Sequence, residues 1–202
     1  MLEMSYNSRI NVLNKIRFSS EQYNICDWLN SLQVLEEASI FDIYNVKKCK
    51  TTLTNNGYLK ESNILLYIRR TNTRYIKNRK LMIDKLSSMK QGYVIIDANI
   101  GAMQWQHQCM LFMMSKVVIG VHGGGMWNAA RLLAPGQTML EILPIKGPSN
   151  SKALAIGHGA RYENLTCEKC VGPTKHIGDM NIDIFLNKME IILDRDEANK
   201  AA

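Results

Sequence analysis

No stretch of about 20 uninterrupted apolar residues occurs in this 202-residue chain, so it offers no helix of membrane-spanning character. Residues Met1 to Arg17 are polar and studded with Asn, Ser and Arg, without the apolar stretch of a secretion signal. No Gly-x-Ser-x-Gly pentad is present, which removes the serine nucleophile of the esterase class. A phosphate-binding P-loop is missing, and no Gly-x-Gly-x-x-Gly follows the first predicted strand, which argues against a dinucleotide oxidoreductase. Cysteines number five (Cys26, Cys49, Cys109, Cys167, Cys170), an odd count at irregular spacing that implies no complete disulfide framework. Only Cys167 and Cys170 form a motif. With His158 and His176 nearby the pair suggests zinc, but a structural zinc site normally shows two such pairs, and a local disulfide or two ordinary thiols rank ahead.

What is present is enough apolar material, 46% of residues, for one good core, and a net charge of +7 that is unevenly spread. Arg69, Arg70, Arg74, Lys77, Arg79 and Lys80 fall in one twelve-residue window. Such a cluster wants an anion: a nucleotide diphosphate, a nucleic-acid backbone or an acidic membrane face. A solvated helix start is the plainer alternative.

From Ile64 onward, short apolar runs alternate with helix-length amphipathic segments, the pattern of βαβ units around a parallel sheet. Strands are expected at 64–68, at 93–96 ending in Asp97, at 116–121 and at 138–143, with an edge strand at 161–165. Helices are expected at 78–89, 103–114, 126–133, 151–156 and 182–193. Ahead of them Ser20 to Ala38 reads as a packing helix and Lys47 to Ser62 as a polar connector. The chain therefore divides into a helical N-terminal segment and connector (1–60), a Rossmann-like α/β domain with helices on both faces of a parallel sheet (61–193), and a frayed tail (194–202).

Open parallel sheets bind ligands beyond the carboxyl ends of their strands, which directs attention to Arg69, Asp97, His122 to Gly125 and Leu143 to Gly147. Gly123, Gly124 and Gly125 between a buried strand and a helix leave backbone N–H groups open to an anion, with the positive end of the helix behind them. Glycines there also serve a tight turn, so geometry alone accounts for them equally well. His122 leads that turn, where an imidazole can donate to a phosphate oxygen or transfer a proton; capping the turn is its alternative. Arg69 and Arg74 leave the first strand toward the same edge, and guanidinium forks match phosphate. Glu141 sits inside an apolar strand, where a carboxylate needs a partner such as a pair of ribose hydroxyls, unless it faces outward on an edge.

These residues carry a family resemblance. The run Val117 to Asn128 (with His122-Gly123-Gly124-Gly125-Met126-Trp127-Asn128), then Pro135-Gly136 and Glu141-Ile142-Leu143-Pro144, resembles the family 61 glycosyltransferases, whose pattern reads roughly Gly-x-His-Gly-Ala-Gly-Leu-Thr-Asn, Pro-Gly and Glu-Ile-x-Pro at these spacings. Tyr67 to Arg70, Arg74, Ile76, Asn78 and Gln108 resemble that family's upstream elements, and the likeness covers about Ile64 to Pro144. It implies the donor-binding half of a two-domain GT-B enzyme that transfers a sugar with inversion from a nucleotide sugar, with a UDP sugar as the expected donor, to a glycan or glycoprotein hydroxyl, without cofactor or obligatory metal. By this likeness His122 is the catalytic candidate, and Arg69, Arg74, Gly123, Gly124, Gly125, Asn128 and Glu141 bind the donor. The acceptor's general base has no candidate. For a eukaryotic member the family points to the endoplasmic reticulum or Golgi lumen.

Departures from the pattern are Gly124 for Ala, Trp127 for Thr, Lys116 for Asp, and Arg79 and Lys80 for acidic residues; Trp127 is expected to narrow the phosphate pocket or to change the donor. Residues 1 to about 60 are too few for the family's additional N-terminal domain, so the expectation is a fragment or a reduced relative. The alternative function is a non-catalytic nucleotide- or glycan-binding module. Nucleic-acid binding ranks last, because only Tyr67 and Tyr75 interleave with the basic residues.

Overall fold

The computed structural model describes residues 41–44, 63–71, 74–89, 92–144, 149–167, 170 and 178–201. The expected helix at 20–38 and the connector at 47–62 lie outside them. Among the described residues six strands form one sheet: β1 (Phe41–Tyr44), β2 (Ile64–Ile68), β3 (Val94–Ala98), β4 (Val117–Val121), β5 (Thr138–Leu143) and β6 (Arg161–Thr166). Helices are α1 (Arg79–Met89), α2 (Trp105–Met114), α3 (Gly124–Ala130), α4 (Asn150–Gly157) and α5 (Ile182–Ala201). In space the strands run β1-β3-β2-β4-β5-β6, and every neighbouring pair is parallel except β1 with β3. The five parallel strands with helices on both faces make a Rossmann-like α/β fold.

Strands β2 to β5 are buried on both faces, as their unbroken apolar runs require. Alternation divides their side chains between two layers. Leu66, Ile68, Ile96, Val118 and Met139 meet Leu111, Phe112, Met126, Ala129 and Ala155 of α2, α3 and α4. Leu65, Tyr67, Ile95, Ile119, Leu140 and Ile142 meet Met82, Ile83 and Leu86 of α1 and Phe185, Met189, Ile192 and Leu193 of α5.

Two expectations need correction. Phe41–Tyr44, placed in a helical segment and connector, instead pairs antiparallel with β3. The expected tail does not begin at Asp194, because α5 continues to Ala201. Its extra turns are held by charge: Asp196 is fully buried against Arg161 and lies 4.0 Å from the buried Lys116 ammonium. The lysine that departs from the family pattern thus has its carboxylate on α5. Asp196→Asn removes the charge that both cations face and should cost about 1–3 kcal/mol by chemical denaturation; unchanged stability would return residues 194–201 to the status of a tail.

Cys167 and Cys170 are joined as a disulfide, the reading ranked above zinc. Cys109 is a free, buried thiol that burial pushes up to about 11. Because the thiolate is the reactive form, Cys109 should resist iodoacetamide at pH 8 in the folded protein and react once denatured, read by mass spectrometry. Labelling of the native protein would contradict its burial.

Candidate functional site

Strand order reverses at β2, which has β3 on one side and β4 on the other, so the carboxyl ends of β2 and β4 diverge into a crevice. A cleft of about 390 Å³ opens there, lined by Arg69, Arg70, Thr71, Asn99, Gln108 and Asn128 together with Ile68, Ile100 and the Gly101, Gly124 and Gly125 backbone. Among the described residues its walls carry two guanidiniums and three carboxamides but no carboxylate. That lining suits a ligand rich in acceptor oxygens.

Each element delivers its residue by the same logic, a strand ending and the next residues turning over the sheet edge. Arg69 follows β2 and is anchored by Asp97 at the end of β3. Its Nη2 donates to the Asp97 carbonyl at 3.2 Å and its Nε lies 3.7 Å from the carboxylate. Arg79, which departs from the family pattern, binds the other oxygen of the same carboxylate, and Asp97 is fully buried between them.

Arg70 and Arg74 converge on the glycine loop. Gly123 has φ +145, and a Cβ there would overlap Arg70 Nη1 and lie 3.0 Å from Arg74 Nη1. The absent side chain is therefore what lets two guanidiniums reach the backbone. Arg74 also donates to the His122 carbonyl at 3.3 Å and holds a left-handed backbone, φ 57, rare for an arginine. Burial, and to a lesser extent the nearby Arg74 charge, pulls the Arg70 guanidinium below its ordinary value. Arg70 was not among the expected site residues; no periodicity distinguishes it from Arg69, and only the position of Gly123 reveals it.

Gly125 serves close packing, since a Cβ would press on Ile100 at 2.9 Å and on Ile68. Gly124, where the family has Ala, meets nothing within 4 Å, so that departure is sterically neutral. Helix α3 spans only seven residues, too short for its dipole to rival two arginines.

His122 and Glu141 come together, on different terms from those expected. Glu141 is fully buried, on a strand flanked by β4 and β6, which rules out an outward edge position. One oxygen lies 2.9 Å from His122 Nδ1 and the other accepts from Ser149 and, at 2.8 Å, from Tyr162. With both oxygens engaged inside the protein, the expected contact to a ribose is replaced by an internal one to His122. Ser149 and Tyr162 were not foreseen: Ser149 lies eight residues beyond Glu141, past the end of the motif, and Tyr162 stands on the neighbouring strand β6.

Asn128 and Gln108 line the cleft, and Gln108 is oriented by donating to the Met103 carbonyl at 2.9 Å. Trp127 does not line it; the Arg131 guanidinium stacks over its ring at 5.3 Å. Asn78 is structural, exchanging two hydrogen bonds with the Met180 backbone. Tyr67, one of the two aromatics beside the basic window, is buried in the sheet and unavailable for stacking on a base. Among the described residues no group of three metal-binding side chains gathers, and no helix is long and apolar enough to cross a membrane.

The switch point of this Rossmann-like α/β domain holds a glycine loop, converging guanidiniums and a polar cleft. The Glycosyltransferase 61 family matches residues 13–140, well over half of the chain, and reaches upstream of the motifs at Ile64 to Pro144. The chain belongs to that family and is a glycosyltransferase, acting on a sugar donor and an acceptor. No curated protein matches it closely enough for comparison.

Proposed function

We propose that the switch-point cleft binds a nucleotide-diphosphate sugar, with uridine as the base, and that the chain transfers the sugar with inversion to a hydroxyl of a glycan or protein. The observation that carries this reading is the convergence of Arg70 and Arg74 on the side-chain-free backbone of Gly123, beside Arg69 in the cleft. Guanidiniums placed there neutralise the charge that grows on a departing diphosphate, the moment at which electrostatic stabilisation lowers the barrier. The Gly124 and Gly125 backbone and the Asn128 amide line the same cleft and offer further donors. Because arginines supply the positive charge, the reading includes donor binding without a metal ion. Uridine and inversion rest on the resemblance to the family's motifs, as does the assignment of the chain as the donor half of a GT-B enzyme.

Calorimetric titration with UDP, UDP-N-acetylglucosamine, UDP-xylose and GDP, each with and without Mg²⁺, tests the proposal. A uridine ligand should bind with the same affinity in both conditions. Strict dependence on Mg²⁺ would overturn the metal-free part, and no binding of any ligand would favour a non-catalytic relative.

A further inference from the structure

The buried carboxylate behind the glycine loop has donors enough to fix the protonation of its neighbours. Ser149 caps α4, its Oγ accepting from the Lys152 amide at 3.3 Å, so its own proton is directed to Glu141. Tyr162 donates to the same oxygen; burial drives its phenol well above the ordinary range, which keeps that proton on the tyrosine. An ionised carboxylate only accepts. Its remaining oxygen, 2.9 Å from His122 Nδ1, therefore accepts from an Nδ1–H. Glu141 is fully buried whereas the His122 side chain is 35% exposed, and Nδ1 is the ring nitrogen that the network engages.

We propose that Glu141, Ser149 and Tyr162 are positioning residues that hold His122 as its Nδ1–H tautomer, so that an Nε2 lone pair takes the proton of the acceptor hydroxyl. This rests on the donor-site reading above and supplies the general base that the sequence left without a candidate. In the step, the hydroxyl proton passes to Nε2 as its oxygen bonds to the anomeric carbon. The carbon–oxygen bond to the diphosphate breaks, and its electron pair leaves on the phosphate beside Arg70 and Arg74. Glu141 stabilises the imidazolium that forms, without itself taking the proton.

The tautomer is measurable without any substrate, by ¹⁵N chemical shifts of the His122 ring in the full chain at pH 8. Wild type should show Nδ1 protonated and Nε2 not. Glu141→Gln should invert this: the two hydroxyl donors keep the amide oxygen, its NH₂ turns to Nδ1, and the proton moves to Nε2. Should that variant fail to fold, Tyr162→Phe loosens the carboxylate, and exchange of the Nδ1 proton with water should quicken about 5- to 10-fold, the worth of one hydrogen bond. An Nε2–H tautomer in wild type overturns the proposal, as does a spectrum unmoved in the variants. Absence of UDP binding would instead strike the donor-site reading, leaving the tautomer result to stand separately.

Discussion

Replacing Gly123 by alanine is expected to lower UDP affinity about 100-fold, the equivalent of losing one to two charge-assisted hydrogen bonds. The backbone there (φ 145, ψ −169) is nearly reserved for glycine and adds strain of about 1–3 kcal/mol in the folded state. The new methyl would overlap the tip of Arg70 and crowd Arg74. Because the obstructing atoms end flexible side chains, the fold yields by displacing them, and the guanidiniums leave the position where a diphosphate needs them. Gly157→Ala is the control, since its added carbon meets nothing within 4 Å. Titration with UDP and a thermal melt of both variants read the two components. Undiminished affinity in Gly123→Ala would remove the arginine pair from the site.

Asp97→Ala should cost about 3–5 kcal/mol, because it deletes a fully buried carboxylate on which the Arg69 and Arg79 guanidiniums converge. For a chain of this size that corresponds to a fall in Tm of roughly 6–20 °C. Asp97→Asn keeps the shape and an acceptor oxygen, and should lose less. Arg69, no longer anchored at the cleft wall, should also bind UDP more weakly in whatever fraction stays folded. A melting temperature within about 2 °C of wild type would mean that the three side chains are not a coupled unit.

Most of the sheet was legible because strands buried on both faces write themselves as continuous apolar runs, as Ile64–Ile68 and Val117–Val121 do. Ser149 caps a helix one residue longer at each end than its apolar pattern suggested. Phe41–Tyr44 was not legible: four residues carry no period, and their place is decided by pairing with β3 more than fifty residues away. The extension of α5 was hidden for a related reason. A polar C-terminal stretch looks like a tail until Asp196 finds Arg161 and Lys116 from other elements.

At the site, the residue types were readable and their pairings were not. A buried carboxylate at position 141 demanded a partner, and a ligand hydroxyl was a reasonable choice; the structure supplies His122, Ser149 and Tyr162 instead. Trp127 looked like an obstruction because the motif puts it beside the loop, but helical rotation carries it to Arg131. The family's departures at Lys116 and Arg79 are absorbed by carboxylates, Asp196 and Asp97, that no local pattern links to them.

If Arg70 and Arg74, where they converge on the Gly123 backbone, hold the nucleotide diphosphate, a crystal structure of the chain with UDP shows it directly. The account predicts both phosphates within hydrogen-bonding distance of the two guanidiniums, with the rest of the nucleotide in the cleft of Asn128, Gln108 and Asn99. UDP bound elsewhere on the sheet, or this cleft empty at saturating UDP, would contradict it.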